Sequence, residues 1–295
     1  MAEQNLRPPR RHWLRLTART LGLMLGQPQR TAQLVRQSYD RIAAGYDQAW
    51  THHMRDLSAN LLDRLAPPAG ATCLDLTCGT GYVTGELARR TGGRVTGVDR
   101  SAGMLEIAQC RHRHSCTFVQ ADILEHLRSL PPSGFDVVTC AWGLGYSRPF
   151  KVVRQIARVL RPGGRLGIID NSLFSLSEIL WASMCAFAER PEALTHAMRV
   201  HFLPSPGMLG LAMRTAGLAV KASWQGRQSY LVPDGSAAIA RLTATGAAAG
   251  FEFASNERYR EQVFDRFARI LERQRQNQDG IAITHRYLAA IGAKP

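Results

Sequence analysis

The chain has 295 residues, 45% of them hydrophobic, and a formal net charge of +14. That length suits one large domain with additions around a substantial core. Of the 37 basic residues only Lys151, Lys221 and Lys294 are lysines, a skew that genome composition produces without nucleic-acid binding, and no basic motif with interleaved aromatics points to nucleic acid. The six cysteines, Cys73, Cys78, Cys110, Cys116, Cys140 and Cys185, do not form a secreted disulfide framework, and no signal peptide is recognised, so a reducing cytoplasm is the expected setting. No uncharged apolar run reaches about 18 residues, which argues against a membrane-spanning helix.

Residues 1–39 hold Arg7, Arg10, Arg11, Arg15, Arg19, Arg30 and Arg36 against Glu3 alone. A solvated basic extension, a helix lying on an anionic membrane through residues 1–36, and a cleaved targeting segment all fit this pattern. Pro8 and Pro9 mark a poorly ordered start. Helices are expected near 12–25, interrupted at Gln27-Pro28, then at 30–42 and 52–65, ending at Pro67-Pro68-Ala69-Gly70.

A strict alternation follows. Strands read at 72–76, 94–98, 117–119, 135–140 and 165–169, with helices near 82–91, 102–113, 123–129 and 150–160. Continuous apolar strands alternating with helices argue a buried parallel sheet of the α/β class. After Asp170 the pattern changes to an apolar, helix-like stretch over 172–202, with more helical pattern at 207–216. A strand or hairpin is expected near 218–232, a small-residue stretch at 236–250, an amphipathic helix at 257–276 and a final strand at 283–291.

The chemical signal is Leu74-Asp75-Leu76-Thr77-Cys78-Gly79-Thr80-Gly81, a strand that ends in a glycine loop and opens into a helix. Such a loop lets backbone approach a ligand at the carboxyl edge of an open α/β sheet. A dinucleotide site needs a third glycine where Thr84 stands; Gly85 comes one residue late. Asp99 ends the next strand, where a carboxylate is able to accept both hydroxyls of a ribose. Gln120-Ala121-Asp122-Ile123, Phe135-Asp136-Val137-Val138-Thr139-Cys140 and Val159-Leu160-Arg161-Pro162-Gly163-Gly164-Arg165 complete the series.

Across residues 35–170 this order and spacing resembles the class I S-adenosylmethionine-dependent methyltransferases. Ser38 to Asp47 (SYDRIAAGYD) resembles the opening of the ubiquinone/menaquinone biosynthesis type. The resemblance implies a doubly wound, mostly parallel seven-stranded sheet with an N-terminal helical cap and a helical lid insertion. It implies S-adenosyl-L-methionine as cofactor, with the 77–81 loop (Thr77, Gly79, Gly81) around its methionine part. Asp75 would orient the ammonium through water, the Cys140 carbonyl would lie near it, Asp99 would bind the ribose, and Asp122 the adenine amino group. Ile123 and Met104 would flank the ring, and Tyr46 would close the site, more so than Tyr39. Thr77 departs from the glycine or alanine usual at that position.

On this reading residues 1–66 form the basic extension and cap, 67–171 the cofactor-binding core, 172–216 the lid and 217–295 the completion of the sheet. Methyl transfer needs a base only if the nucleophile carries a proton that must leave. Tyr146 and His201 are the candidate catalytic residues; His52, His53, Asp170 and His196 are weaker ones. Cys110 to Cys116 places four potential metal ligands in seven residues, but two arginines interrupt them, and no metal is expected. The apolar lid suits a small aromatic, quinone-like or lipid acceptor. A phospholipid amine, a non-catalytic cofactor-binding role and a homodimer remain open.

Overall fold

The computed structural model describes residues 8–26, 30–246, 254–277 and 280–295. The helices in chain order are α1 (Arg10–Gly26), α2 (Arg30–Tyr46), α3 (His52–Leu65), α4 (Tyr82–Thr91), α5 (Ala102–His112), α6 (Ile123–Ser129), α7 (Pro149–Val159), α8 (Ser177–Glu189), α9 (Pro206–Thr215), α10 (Gly235–Ala244) and α11 (Glu257–Arg275). The strands are β1 (Cys73–Leu76), β2 (Val95–Asp99), β3 (Cys116–Gln120), β4 (Phe135–Ala141), β5 (Leu160–Asn171), β6 (Ala219–Val232), the two-residue β7 (Gln276–Asn277) and β8 (Gly280–Ala293). Gln27-Pro28, residues 1–7 and the end of the 236–250 stretch lie outside the described residues.

The main sheet runs β3-β2-β1-β4-β5-β8-β6, with β7 beside β8. The first five strands pair in parallel, and β8 returns antiparallel to β5 with Arg165 opposite Ala293 and Asn171 opposite Tyr287. This is the doubly wound, mostly parallel seven-stranded sheet that the resemblance implies, with a two-residue strand added.

The chain forms two compact units. One comprises residues 39–175, 200–228 and 286–295; the other comprises residues 1–38, 176–199 and 229–285. In the first, both faces of the sheet are covered. Leu74, Leu76, Val138 and Cys140 pack with Val152 and Ile156 of α7 and Leu209 of α9. Cys73, Val95 and Val137 pack with Leu61, Leu62 and Leu65 of α3 and Leu87 of α4. Alternate residues of each strand thus meet opposite layers, as a period of two requires. Local chemistry starts the helices: Ser101 caps α5, Asp122 caps α6, and Pro149 opens α7.

In the other unit, Leu16 and Leu23 of α1 join Ile179, Ala182 and Cys185 of α8 and Phe267, Ile270 and Leu271 of α11. Arg266 of α11 donates to both oxygens of Glu189 on α8, at 2.7 to 3.0 Å. The apolar stretch after Asp170 is not one helix. α8 takes 13 residues of it, and Pro191 opens only a short 3-10 turn. Beyond Leu194 the backbone is irregular.

Candidate cofactor and acceptor site

The site belongs to the first of these units and lies at the carboxyl edge of β1, β2 and β4. Two non-glycine residues there hold left-handed backbone: Thr77 after β1 (φ +59°) and Trp142 after β4 (φ +64°). A β-branched residue rarely adopts this conformation, and such strain concentrates at functional sites. Thr77 is held by its hydroxyl, which donates to the Ala141 carbonyl at 3.0 Å. A Cβ on Gly143 would stand 2.6 Å from Thr77 Cγ2, so the bulk that Thr77 brings is matched by a glycine opposite. Trp142 Nε1 donates to Ser58 Oγ at 2.9 Å, which ties the end of β4 to α3.

Gly79 and Gly81 both have positive φ, +54° and +89°. Nothing stands within 4 Å of a Cβ built on Gly79, which therefore faces open space. Tyr46, Thr51, Thr77, Gly79 and Trp142 are among the walls of a shallow cleft open to solvent, with about 50 Å³ of cavity volume. Gly81 is the reverse case: a Cβ there would meet the His112 ring at 3.0 Å and Ala108 at 3.1 Å. His112, the first histidine of the cysteine-histidine run, packs against α4, and burial lowers its pKa.

Asp75 is 1% exposed. Its carboxylate accepts from Thr84 Oγ1 and Thr139 Oγ1, each at 2.7 Å, so it locks α4 and β4 to β1. Thr84 thus does a structural task where a dinucleotide fold keeps glycine. Burial pushes the Asp75 pKa up to about 6, against the two threonine hydroxyls. Asp99 is half-buried and accepts from the backbone N–H groups of Gly79 (2.9 Å) and Ser101 (3.0 Å). Burial raises its pKa, and those N–H groups oppose the rise. Each oxygen keeps a second acceptor position.

Asp122 serves the cap of α6, taking Leu124 N and Glu125 N at 2.9 Å on Oδ1, while Oδ2 pairs with Arg100. Met104 and Ile123 are 1% and 5% exposed, and the Cys140 side chain is fully buried. Burial raises the Cys140 thiol far above its usual range.

Asp40 and Asp47 were not among the expected site residues. Asp40 accepts from Ser101 Oγ at 2.6 Å and from Gly103 N at 3.2 Å. Asp47 accepts from Thr80 Oγ1 inside the glycine loop, from Thr51 Oγ1 at 2.7 Å, and pairs with Arg111. Burial would raise the Asp47 pKa, but these three donors carry it below the usual carboxylate value. Asp47 opens a π-helical turn, Asp47–Thr51, a rare geometry that recurs at functional sites. Asp47 fastens the segment after Tyr39 to the glycine loop, and Asp40 fastens it to the start of α5. The Ser38–Asp47 motif was the only signal for them.

An aromatic run continues from the cleft. Tyr46 meets Tyr39 edge-on (centroids 5.9 Å), Tyr39 meets Tyr146 (6.2 Å), and Tyr146 meets Phe202 (5.5 Å). Burial, then the neighbouring Tyr146, raises the Tyr39 and Tyr46 hydroxyls well above the usual tyrosine value. Tyr146 ends a 3-10 turn whose Gly145 N–H donates to Asp170 Oδ2 at 2.7 Å. The Gly145 carbonyl accepts from His201 N at 2.7 Å, and a Cβ on Gly145 would collide with the Phe202 ring. His201 reaches this turn through its backbone, and its side chain is exposed. Asp170 is 3% exposed, and burial pushes its pKa up to about 7.

Residues 73–164 match the family model described as a methyltransferase domain. The chain is 38% identical over 151 residues to 2-phytyl-1,4-naphtoquinone methyltransferase of Thermosynechococcus vestitus, covering 47% of this chain and 64% of that relative. It thus spans less than two thirds of that relative's length. It is 32% identical over 175 residues to the ubiquinone biosynthesis O-methyltransferase of Pseudomonas paraeruginosa, covering 58% of this chain and 74% of the relative. Among solved structures, the [4+2]-cyclase SpnF superposes with a TM-score of 0.52 at 22% identity, over 81% of this chain and 80% of that one, which shows the shared fold. Glycine loop, strand order and relatives agree: the chain belongs to the class I S-adenosylmethionine-dependent methyltransferase family.

Proposed function

We propose that this protein transfers the methyl group of S-adenosyl-L-methionine to a small aromatic or quinone-like acceptor. The observation that carries the reading is the unbroken aromatic run Tyr46–Tyr39–Tyr146–Phe202, which starts at the cleft over the glycine loop. Flat rings of this kind suit a flat, apolar acceptor. Both relatives above are named for quinone chemistry.

The residues present fit the cofactor. Open space above Gly79 admits the methionine part beside Thr77 and Gly81. Asp99 keeps acceptor positions for the ribose hydroxyls. Asp122, flanked by Ile123 and Met104, would take the adenine amino group on the oxygen it now shares with Arg100. Asp75 would act on the ammonium group only through intervening water, since its carboxylate is almost wholly buried beneath Thr84 and Thr139. The Cys140 carbonyl would contribute beside it. When bound, the cofactor supplies a sulfonium methyl group open to direct displacement.

The chain's own work is alignment and exclusion of water. Tyr39 and Tyr46 stay protonated across the neutral range, so they offer hydroxyl donors without adding charge. Of the hydroxyls along this run, that of Tyr146 would be the one to meet an acceptor hydroxyl. Asp170 positions Tyr146 through the Gly145 N–H.

Transfer of a labelled methyl group to a panel of hydroquinones and phenols, with phosphatidylethanolamine as a separate arm, tests the reading. Label in the hydroquinones is expected, with Tyr146→Phe lowering kcat at least about tenfold, as loss of an aligned proton-handling group does. Label only in the lipid amine, or cofactor binding without transfer to any acceptor, would contradict it.

A further inference from the structure

α1 carries apolar side chains on two opposite sides. Leu16 and Leu23 enter the core of their unit, at 6% and 9% exposed. Leu14, Leu21 and Leu25 lie within about 40° of one another on a 3.6-residue helix and about half a turn from that pair. They are 72%, 56% and 84% exposed. An amphipathic surface helix keeps polar residues on that side. α8 does the same: Leu180, Trp181 and Met184 share one side and are 37%, 42% and 47% exposed. Trp13 of α1 stacks on Trp181 of α8, with centroids 5.4 Å apart and planes at 20°, which joins the two rows.

The charge around the α1 row has one sign. Arg10, Arg11 and Arg15 are exposed on its shoulders, and α1 contains no acidic residue. On α8, Glu178 accepts from Thr284 N, and Glu189 is held by Arg266. Exposed leucines, tryptophan at the margin and arginines beside them match the boundary of an anionic bilayer, where the apolar groups enter the acyl region and the arginines meet headgroup phosphates. A second copy fits poorly, because a two-fold contact through this row sets the same arginines against each other.

We propose that the α1–α8 face docks on an anionic lipid surface, lying in the interface rather than crossing it. Among the described residues no helix is long and apolar enough to span a membrane. The proposal stands independently of the methyl-transfer reading, because its test reads binding and not activity.

The test is co-sedimentation of the full chain with vesicles of phosphatidylcholine plus phosphatidylglycerol, and with phosphatidylcholine alone. Binding to the anionic vesicles is expected, weakening as salt screens the arginines. Combined Leu14→Gln, Leu21→Gln and Leu25→Gln, and separately Arg10→Gln, Arg11→Gln and Arg15→Gln, should each weaken it at least about tenfold. Because these side chains are exposed, the melting temperature should hold in both variants. No binding of the folded wild type at low salt, or wild-type binding by the leucine variant, would overturn the proposal. So would a leucine variant that dissociates a dimer while its vesicle binding stays the same.

Discussion

Asp99→Ala is expected to weaken S-adenosyl-L-methionine binding by at least about a hundredfold while the protein stays folded. A carboxylate that accepts two hydroxyls loses roughly 1.5–3 kcal/mol for each bond when removed, and 1.4 kcal/mol is tenfold in affinity. The substitution also strips an acceptor from Gly79 N and Ser101 N. Asp99 is half-buried, so water replaces that acceptor at modest cost to the fold. Asp99→Asn, which keeps the shape and one acceptor oxygen, should fall between the two. Calorimetric titration reads the affinity and circular dichroism the fold. Unchanged affinity in the folded Asp99→Ala protein would remove Asp99 from the ribose site.

The second large effect is on stability against pH. Asp170 has a pKa pushed up to about 7 by burial and Asp75 one pushed up to about 6, while an aspartate in the unfolded chain titrates near about 3.9. Between these limits the folded protein binds more protons than the unfolded one. The contribution of these two groups is therefore complete below about pH 4 and is lost as pH rises through about 6 to 7. For Asp170 a shift of roughly three pKa units corresponds to up to about 4 kcal/mol.

Other groups act in the opposite direction. His112, His126 and His196 have pKa values lowered by burial, which adds stability as pH rises. The informative quantity is therefore the difference between wild type and Asp170→Asn, since the histidines are common to both. The asparagine loses one acceptor for Gly145 N or Asn171 N, a penalty that is the same at every pH. Urea unfolding at pH 5 and pH 8 should show wild-type stability declining more steeply than that of Asp170→Asn. Parallel stabilities at the two pH values would mean that Asp170 ionises normally.

The cofactor half of the site was legible because its signals are local. β1, the glycine loop, Asp99 and the Asp122 cap each sit within a few residues of the break that reveals them. The opening of β5 was hidden: the strand is expected only from 165, yet Leu160 already pairs with Phe135, across an irregularity before Val137 pairs with Arg165. The stretch 172–202 looked like a continuous helix from its apolar content. What fixes the irregular part is long-range bonding, such as Thr31 Oγ1 with His196 Nε2 at 3.0 Å and His201 N to Gly145 O. Asp40 and Asp47 bear ordinary charges on a helical pattern, and their partners lie 61 and 33 residues away, where periodicity carries no information. The apolar residues of the expected lid serve different ends: Ile179 and Phe187 fill the core of one unit, and Phe202 meets Tyr146 in the other.

Calorimetric titration of the wild-type protein with S-adenosyl-L-homocysteine tests the central claim most directly, since the demethylated product occupies the same loop without needing an acceptor. Micromolar one-to-one binding that Asp99→Ala abolishes is the predicted result. A folded wild-type protein that shows no heat of binding would contradict the account, and would mean that Thr77 and Gly143 close the loop to the cofactor that the rest of the site is built to hold.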